Sequence, residues 1–146
     1  PWYDPQVLAE SSVDMIFSQA VLEHVDNLDL TYRSLYRWLK PTGVMSHTVD
    51  FRSHGITSEW NGHWMYSDRM WNLVKGKRRF LLNRQPHTAH LYLMKQTGFE
   101  IVCDITREES SGITRNQLAT SFQMLTEQDL VIRGAFFIAK KANTIG

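Results

Sequence analysis

The sequence of 146 residues has a single cysteine, Cys103, so no intrachain disulfide can form. A framework of bridges like that of small secreted domains is therefore excluded. Flanked by Glu100-Ile101-Val102, the thiol reads as a buried structural group of a reducing compartment, and a cytoplasmic location is expected. Long apolar runs are also missing. Nothing approaches the roughly 20 residues a membrane-spanning helix needs, and no charged, apolar, small-residue leader pattern opens the chain. No membrane partner is expected. Position 1 is Pro rather than Met, which leaves open whether the start is processed or is the edge of a longer reading frame. A strong charge of one sign is lacking as well, since the net charge is only +1. Residues 1–50 carry seven acids against three bases and residues 51–100 three acids against eight bases, so only the middle of the chain is locally basic. That balance is too weak and too local to indicate a nucleic-acid partner.

What is present is a core-forming composition, 42% hydrophobic and 12% aromatic with five tryptophans, in a length that suits one domain. Val13-Asp14-Met15-Ile16-Phe17-Ser18 predicts a short strand buried on both faces of a parallel sheet. The period then changes: Leu28, Tyr32, Leu35, Tyr36 and Leu39 recur at three- and four-residue steps, which predicts a helix from Asn27 or Asp29 to Lys40. Pro41 and Gly43 stop it, and Val44 to Phe51 predicts a second strand. Strand, helix, strand with short connections is a βαβ crossover, which implies a parallel sheet with helices on its faces and ligands at the strands' carboxyl ends. Those ends are Ser18-Gln19-Ala20 and Asp50-Phe51-Arg52. Residues 53–85 are irregular, with one helix expected near Asp68 to Lys75, and suggest a substrate lid or insertion. A helix over His87 to Gln96, a strand over Phe99 to Thr106 and a last strand over Leu130 to Lys140 complete the pattern.

The run Val13 to Val25, with its D-x-I-x-S-x-x-V-L-E-H-V block, and the L-K-P-x-G block that begins at Leu39 strongly resemble class I S-adenosylmethionine-dependent methyltransferases of the type 11/12 kind. In that family these are the fourth strand, its following helix and the fifth strand. Thr97 to Val102 looks like the turn into the sixth strand, and Leu130 to Lys141 like the antiparallel seventh. The resemblance implies a partial Rossmann-like α/β fold, the C-terminal half of a methyltransferase domain. It also implies cofactor contacts at Ser18, Gln19 and Ala20, and a catalytic histidine at His24, whose ordinary pKa near 6.5 suits proton removal at neutral pH. A surface or helix-capping histidine is the structural alternative. The family's G-x-G-x-G loop and the acidic residue that closes its second strand have no counterpart here: the glycines fall at 43, 55, 62, 76, 98, 112, 134 and 146. S-adenosylmethionine is therefore expected as cofactor only if the missing N-terminal half is supplied.

Five of the six histidines and three of the five tryptophans lie between positions 47 and 92. In the resembling family this region shapes the substrate pocket, and Trp60, Asn61, His63, Trp64, Asn83 and Arg84 are the candidates for its wall. Ordinary core filling under a long connection is the alternative. His87 and His90 share a helical face, with His47, His54 and His63 upstream, but no adjacent cysteine or third ligand is recognisable and no metal is assigned. Lys75, Lys77, Arg78, Arg79 and Arg84 read either as a solvated face or as a site for an anionic group on a substrate.

The expected function is methyl transfer to a small or polymer-linked metabolite. The competing reading is a truncated, non-catalytic domain acting in binding or assembly. A sheet cut beside Val13–Ser18 exposes an apolar edge, so a homodimer or pairing with a complementary half is expected.

Overall fold

A computed structural model describes residue 4 and residues 6–142. Strand β1 (Val13–Gln19) leads through a single 3-10 turn (Leu22–His24) into helix α1 (Leu28–Trp38), and the chain returns as β2 (Leu39–Asp50), parallel to β1. Asn27 caps α1, its side-chain oxygen accepting from the Leu30 N–H at 2.9 Å, which satisfies a donor the helix leaves free. The periodicity predicts a helix reaching Lys40, but α1 ends at Trp38, where Leu39 turns to extended backbone. Val13 pairs with Leu39 and Met15 with Val44, so β2 bulges across Lys40 to Gly43. The bulge leaves Pro41, which cannot donate, without a ladder partner. Gly43 is needed there, because a Cβ would lie 2.8 Å from the Leu39 side chain and 3.0 Å from the Asp14 carbonyl oxygen.

Helices α2 (Asp68–Lys75) and α3 (His87–Thr97) follow, then strands β3 (Phe99–Glu108) and β4 (Ile132–Lys141). Gly98 closes α3 in the left-handed region at φ 102°, its N–H bonding the Lys95 carbonyl. The sheet order is β1-β2-β4-β3, with β4 antiparallel to both neighbours. This is the mixed α/β, partial Rossmann-like arrangement that the sequence implies. Alternation along β2 and β4 sends Met45, Val49, Ala135, Phe137 and Ala139 to one face, where Tyr32, Leu35, Trp38 and Met94 of α1 and α3 cover them.

Among the described residues nothing covers the other face. The expectation that β1 is buried on both faces is therefore corrected: Phe17 is 75% and Met15 56% exposed, and Ile105 of β3 is exposed on the same side. Leaving Phe17 and Met15 in water forgoes about 1.5–3 kcal/mol apiece. A second, smaller core joins the segment after β2 to the long connection between β3 and β4. It contains Trp60, Trp64, Ile113, Leu118, Leu125 and Leu130.

Candidate functional site

The carboxyl ends of β1 and β2 open onto two adjoining cavities. One, of about 320 Å³, is lined by Gln19, Ala20, Thr48, Asp50, Arg52 and Arg107 among others. The other, of about 520 Å³, is lined by His54, Gly55, Glu59, Trp60 and Ser111, and shares Asp50 and Arg52 with the first. The paired Asp50 and Arg52 thus stand between two lobes of one cleft. Arg52 donates to both Asp50 carboxylate oxygens through Nε at 2.9 and 3.1 Å and through Nη2 at 2.6 Å. Partial burial works against ionisation of Asp50, but these bonds outweigh it and hold the carboxyl below its usual range.

The three residues expected to meet a cofactor differ in their placement. Ser18 points toward the covered face, its Oγ 2.7 Å from Nδ1 of His47. Gln19 and Ala20 line the 320 Å³ lobe. Ala20 is left-handed at φ 52°, held there by its N–H bond to the Thr48 carbonyl at 2.9 Å. Four non-glycine residues among those described have positive φ, and two of them, Ala20 and His54, line this cleft. Such conformations cost of order 1–3 kcal/mol and persist where the surroundings enforce them, a pattern that favours functional sites.

The turn after β1 places Glu23 and His24 beside His54 of the loop after β2. The His24 and His54 rings meet edge to face at 5.1 Å. Glu23 is only 3% exposed; its Oε1 accepts weakly from the Asp50 N–H at 3.3 Å, and its Oε2 has no partner. Burial, with the nearby Asp50 charge, raises its pKa to about 7. Burial and the neighbouring His54 lower that of His24, whose ring is hydrogen-bonded to the Phe80 backbone and whose Nδ1 is buried without a partner. Side-chain donors of Glu23, His24 and His54 all lie within 4.8 Å of one another. The sequence names His54 only among the histidines upstream of His87 and His90 and assigns it no site, although it stands just past the carboxyl end of a strand, where ligands gather.

Of the residues expected to wall a substrate pocket, only Trp60 lines the larger lobe, with its indole N–H unpartnered. Asn61 is fully buried and ties two segments together: its Oδ1 accepts from the Ile113 N–H at 2.7 Å, and its Nδ2 donates to the Leu130 carbonyl at 3.1 Å. Trp64 donates to the Arg84 carbonyl at 3.0 Å, and Arg84 donates to Asp68 at 2.7 Å and to the Tyr66 carbonyl at 2.6 Å while lying over the Trp71 and Phe122 rings. Asn83 donates to the carbonyls of Leu22 and Val25 and so fixes the turn that carries His24. His63 is buried against Trp64, and burial, with the Arg84 charge, lowers its pKa to about 3. The basic run does not form one patch. Lys75 pairs with Asp26 and Arg84 turns inward.

His87 and His90, which spacing places on one helical face, both stack on Phe137 and are otherwise engaged. His87 meets Asp104 at 3.0 Å and His90 meets the Tyr32 hydroxyl at 2.9 Å. Among the described residues no helix is long and apolar enough to cross a membrane.

Residues 4–46, which hold β1, the turn with Glu23 and His24, and α1, match the family model described as a methyltransferase domain. The fold matches a Methanosarcina mazei structure described as a SAM-dependent methyltransferase, with TM-score 0.57 and 16% identity over 92% of this chain and 62% of that one. The chain has the fold of S-adenosylmethionine-dependent methyltransferases, and its first third matches the methyltransferase-domain model. A Haloferax volcanii putative methyltransferase, solved with the Trm112 methyltransferase activator, matches this chain with TM-score 0.56 and 14% identity over 97% of it and 59% of the other. Phosphoethanolamine N-methyltransferase 2 of Haemonchus contortus, solved with S-adenosyl-L-methionine, matches with TM-score 0.52 and 17% identity over 93% of this chain and 35% of its own. This chain thus spans about three-fifths of the first two proteins. A search of the curated proteins returned no match.

Proposed function

We propose that the chain forms the acceptor-facing part of an S-adenosylmethionine-dependent methyltransferase acting on a small or polymer-linked metabolite. The observation that carries this reading is the left-handed Gln19–Ala20 turn opening on the 320 Å³ lobe, with a second lobe beside it across Asp50 and Arg52. That volume is at the lower end of the usual range for ligand pockets, about 300–1,000 Å³. The residues fit one side of the cofactor: Gln19 and the Ala20 backbone can bound its methionine end. A glycine-rich loop and a ribose-binding acid are contributed by a complementary half. When bound, the cofactor supplies an electrophilic methyl group on a sulfonium.

The chain's own residues then position and desolvate the acceptor, which is most of what a protein offers an in-line displacement. Trp60 forms a flat wall for the acceptor, and Arg52, its charge balanced by Asp50, presents its remaining guanidinium N–H groups between the lobes. Asn61, His63, Trp64, Asn83 and Arg84 hold that wall in place. His24, on a turn that Asn83 fixes and beside His54 of the larger lobe, assists departure of the acceptor's proton.

A second reading is favoured by the uncovered face around Met15 and Phe17: a non-catalytic domain that works by assembly, as a homodimer or with a complementary half. Titration of the isotope-labelled chain with S-adenosylmethionine, followed by backbone amide shifts, separates the two. With the rest of the cofactor site on the complementary half, the chain alone holds the cofactor weakly, and methyl transfer predicts shifts at Gln19, Ala20 and Asp50 that develop only toward millimolar cofactor and that an Ala20→Trp variant removes. Shifts confined to other regions, or none at millimolar cofactor, would leave assembly as the function.

A further inference from the structure

Behind the larger lobe, which His54 lines, the side chains of Glu23, His24 and His54 converge. Resting on the reading of this cleft as the acceptor site, we propose that these three side chains bind a divalent transition-metal ion, Zn²⁺ or a close relative. Two observations carry the assignment independently. First, the donor atoms of the trio lie within 4.8 Å of one another. Second, Glu23 is 3% exposed with Oε2 unpartnered, and Nδ1 of His24 is also buried and unpartnered. The charged form of Glu23 keeps only the weak bond from the Asp50 N–H, and a cation is the partner that would stabilise it.

The donor chemistry suits this class of ion. Two imidazoles and one carboxylate form a set used by catalytic zinc, with ligands at about 2.0–2.2 Å and a fourth position left for water or substrate. At those lengths ligands stand about 3.4 Å apart, so the trio has to draw in by roughly an ångström. His54 can supply most of that movement, since its side chain is one-third exposed at the rim. The outer contacts resemble those that orient metal-bound histidines: the Phe80 backbone holds the His24 ring, and Asp50 Oδ2 faces Nε2 of His54 at 3.7 Å. His54 also lines the 520 Å³ lobe, so an ion held by it would border the space assigned to the acceptor. An acceptor hydroxyl bound there loses its proton to solvent more readily, since the ion lowers its pKa. His24 then assists as a ligand, with no need to titrate.

Direct metal measurements test this. The untagged chain, stripped with chelator and dialysed, is titrated with Zn²⁺ by calorimetry and with Co²⁺ by visible absorption. The expected result is one ion per chain and a Co²⁺ spectrum of low coordination number. His54→Ala and Glu23→Gln each weaken binding about tenfold or more, with the far-UV circular dichroism of His54→Ala unchanged. No stoichiometric binding at micromolar Zn²⁺, or binding that survives both substitutions, overturns the proposal. Cofactor-induced shifts at Gln19 and Ala20 are read without the ion, so failure of the metal site and failure of the methyltransferase reading are distinguishable.

Discussion

Ser18 Oγ and His47 Nδ1 stand 2.7 Å apart at a register pair of the parallel strands β1 and β2. The contact ties the strand of the family motif to the helix-covered core. Nε2 of His47 already lacks a partner. Ser18→Ala would therefore leave the buried imidazole with neither nitrogen bonded, a loss of about 1–3 kcal/mol. Urea unfolding at pH 7.5 should show a lower midpoint with an unchanged slope against denaturant. An unshifted midpoint would mean that water or a rotated ring replaces the serine.

Acid should destabilise the chain through its buried histidines. Burial lowers His47 to about 4 and His90 to about 3. Both stay neutral when folded, whereas the unfolded chain protonates them near pH 6.5. The unfolded state thus binds more protons between about pH 3 and 6.5, so stability falls as pH drops through that window and is level, for these groups, above it. Each imidazole adds up to about 1.4 kcal/mol per pH unit. The unfolding midpoint should decline below pH 6.5, and less steeply in His47→Asn, which keeps a polar atom toward Ser18. Equal slopes for the two proteins would remove His47 from the explanation.

The elements legible in the sequence are those whose signal is local. Leu28, Tyr32 and Leu35 declare α1, Gly98 declares the end of α3, and the Phe136-Phe137-Ile138 run declares β4. The connection at 109–131 was not legible, because its order depends on contacts with Trp60, Asn61 and Trp64, about fifty residues or more away in sequence. The site divides in the same way. The motif around Ser18 and His24 could be read directly, while His54 enters only because a left-handed turn at that residue brings its ring back over His24. Asn61 and Arg84 were identifiable as polar residues among aromatics. Composition could not reveal that their hydrogen-bonding groups are taken up by backbone carbonyls, the Ile113 N–H and Asp68.

Asn61 should behave as a staple. Its amide bonds to both the Ile113 and Leu130 backbones are buried, and Asn61→Ala leaves those groups unsatisfied as well as removing the bonds. A loss of about 2–4 kcal/mol follows. Hydrogen exchange should show faster exchange at Ile113 and neighbouring residues of the second core, with protection of β2 and β4 retained at native pH. Uniform loss of protection would indicate that the two cores unfold as one unit.

The uncovered face gives the assembly reading its own test. Phe17 and Met15 lie on the edge strand and Ile105 on the opposite edge, so a covering partner has to span the sheet. A second copy of the chain can provide that apolar surface by two-fold symmetry, with the face of one protomer packed on the same face of the other. Phe17→Glu puts a charge inside such a contact, where desolvation without a cation costs several kcal/mol. The chain should sediment as a dimer at micromolar concentration and Phe17→Glu as a monomer, with the circular dichroism of the two alike because Phe17 makes little contact with the helix-covered core. A wild-type monomer at that concentration would rule out self-association and leave a complementary half as the partner, since the exposed phenylalanine and methionine would still need cover.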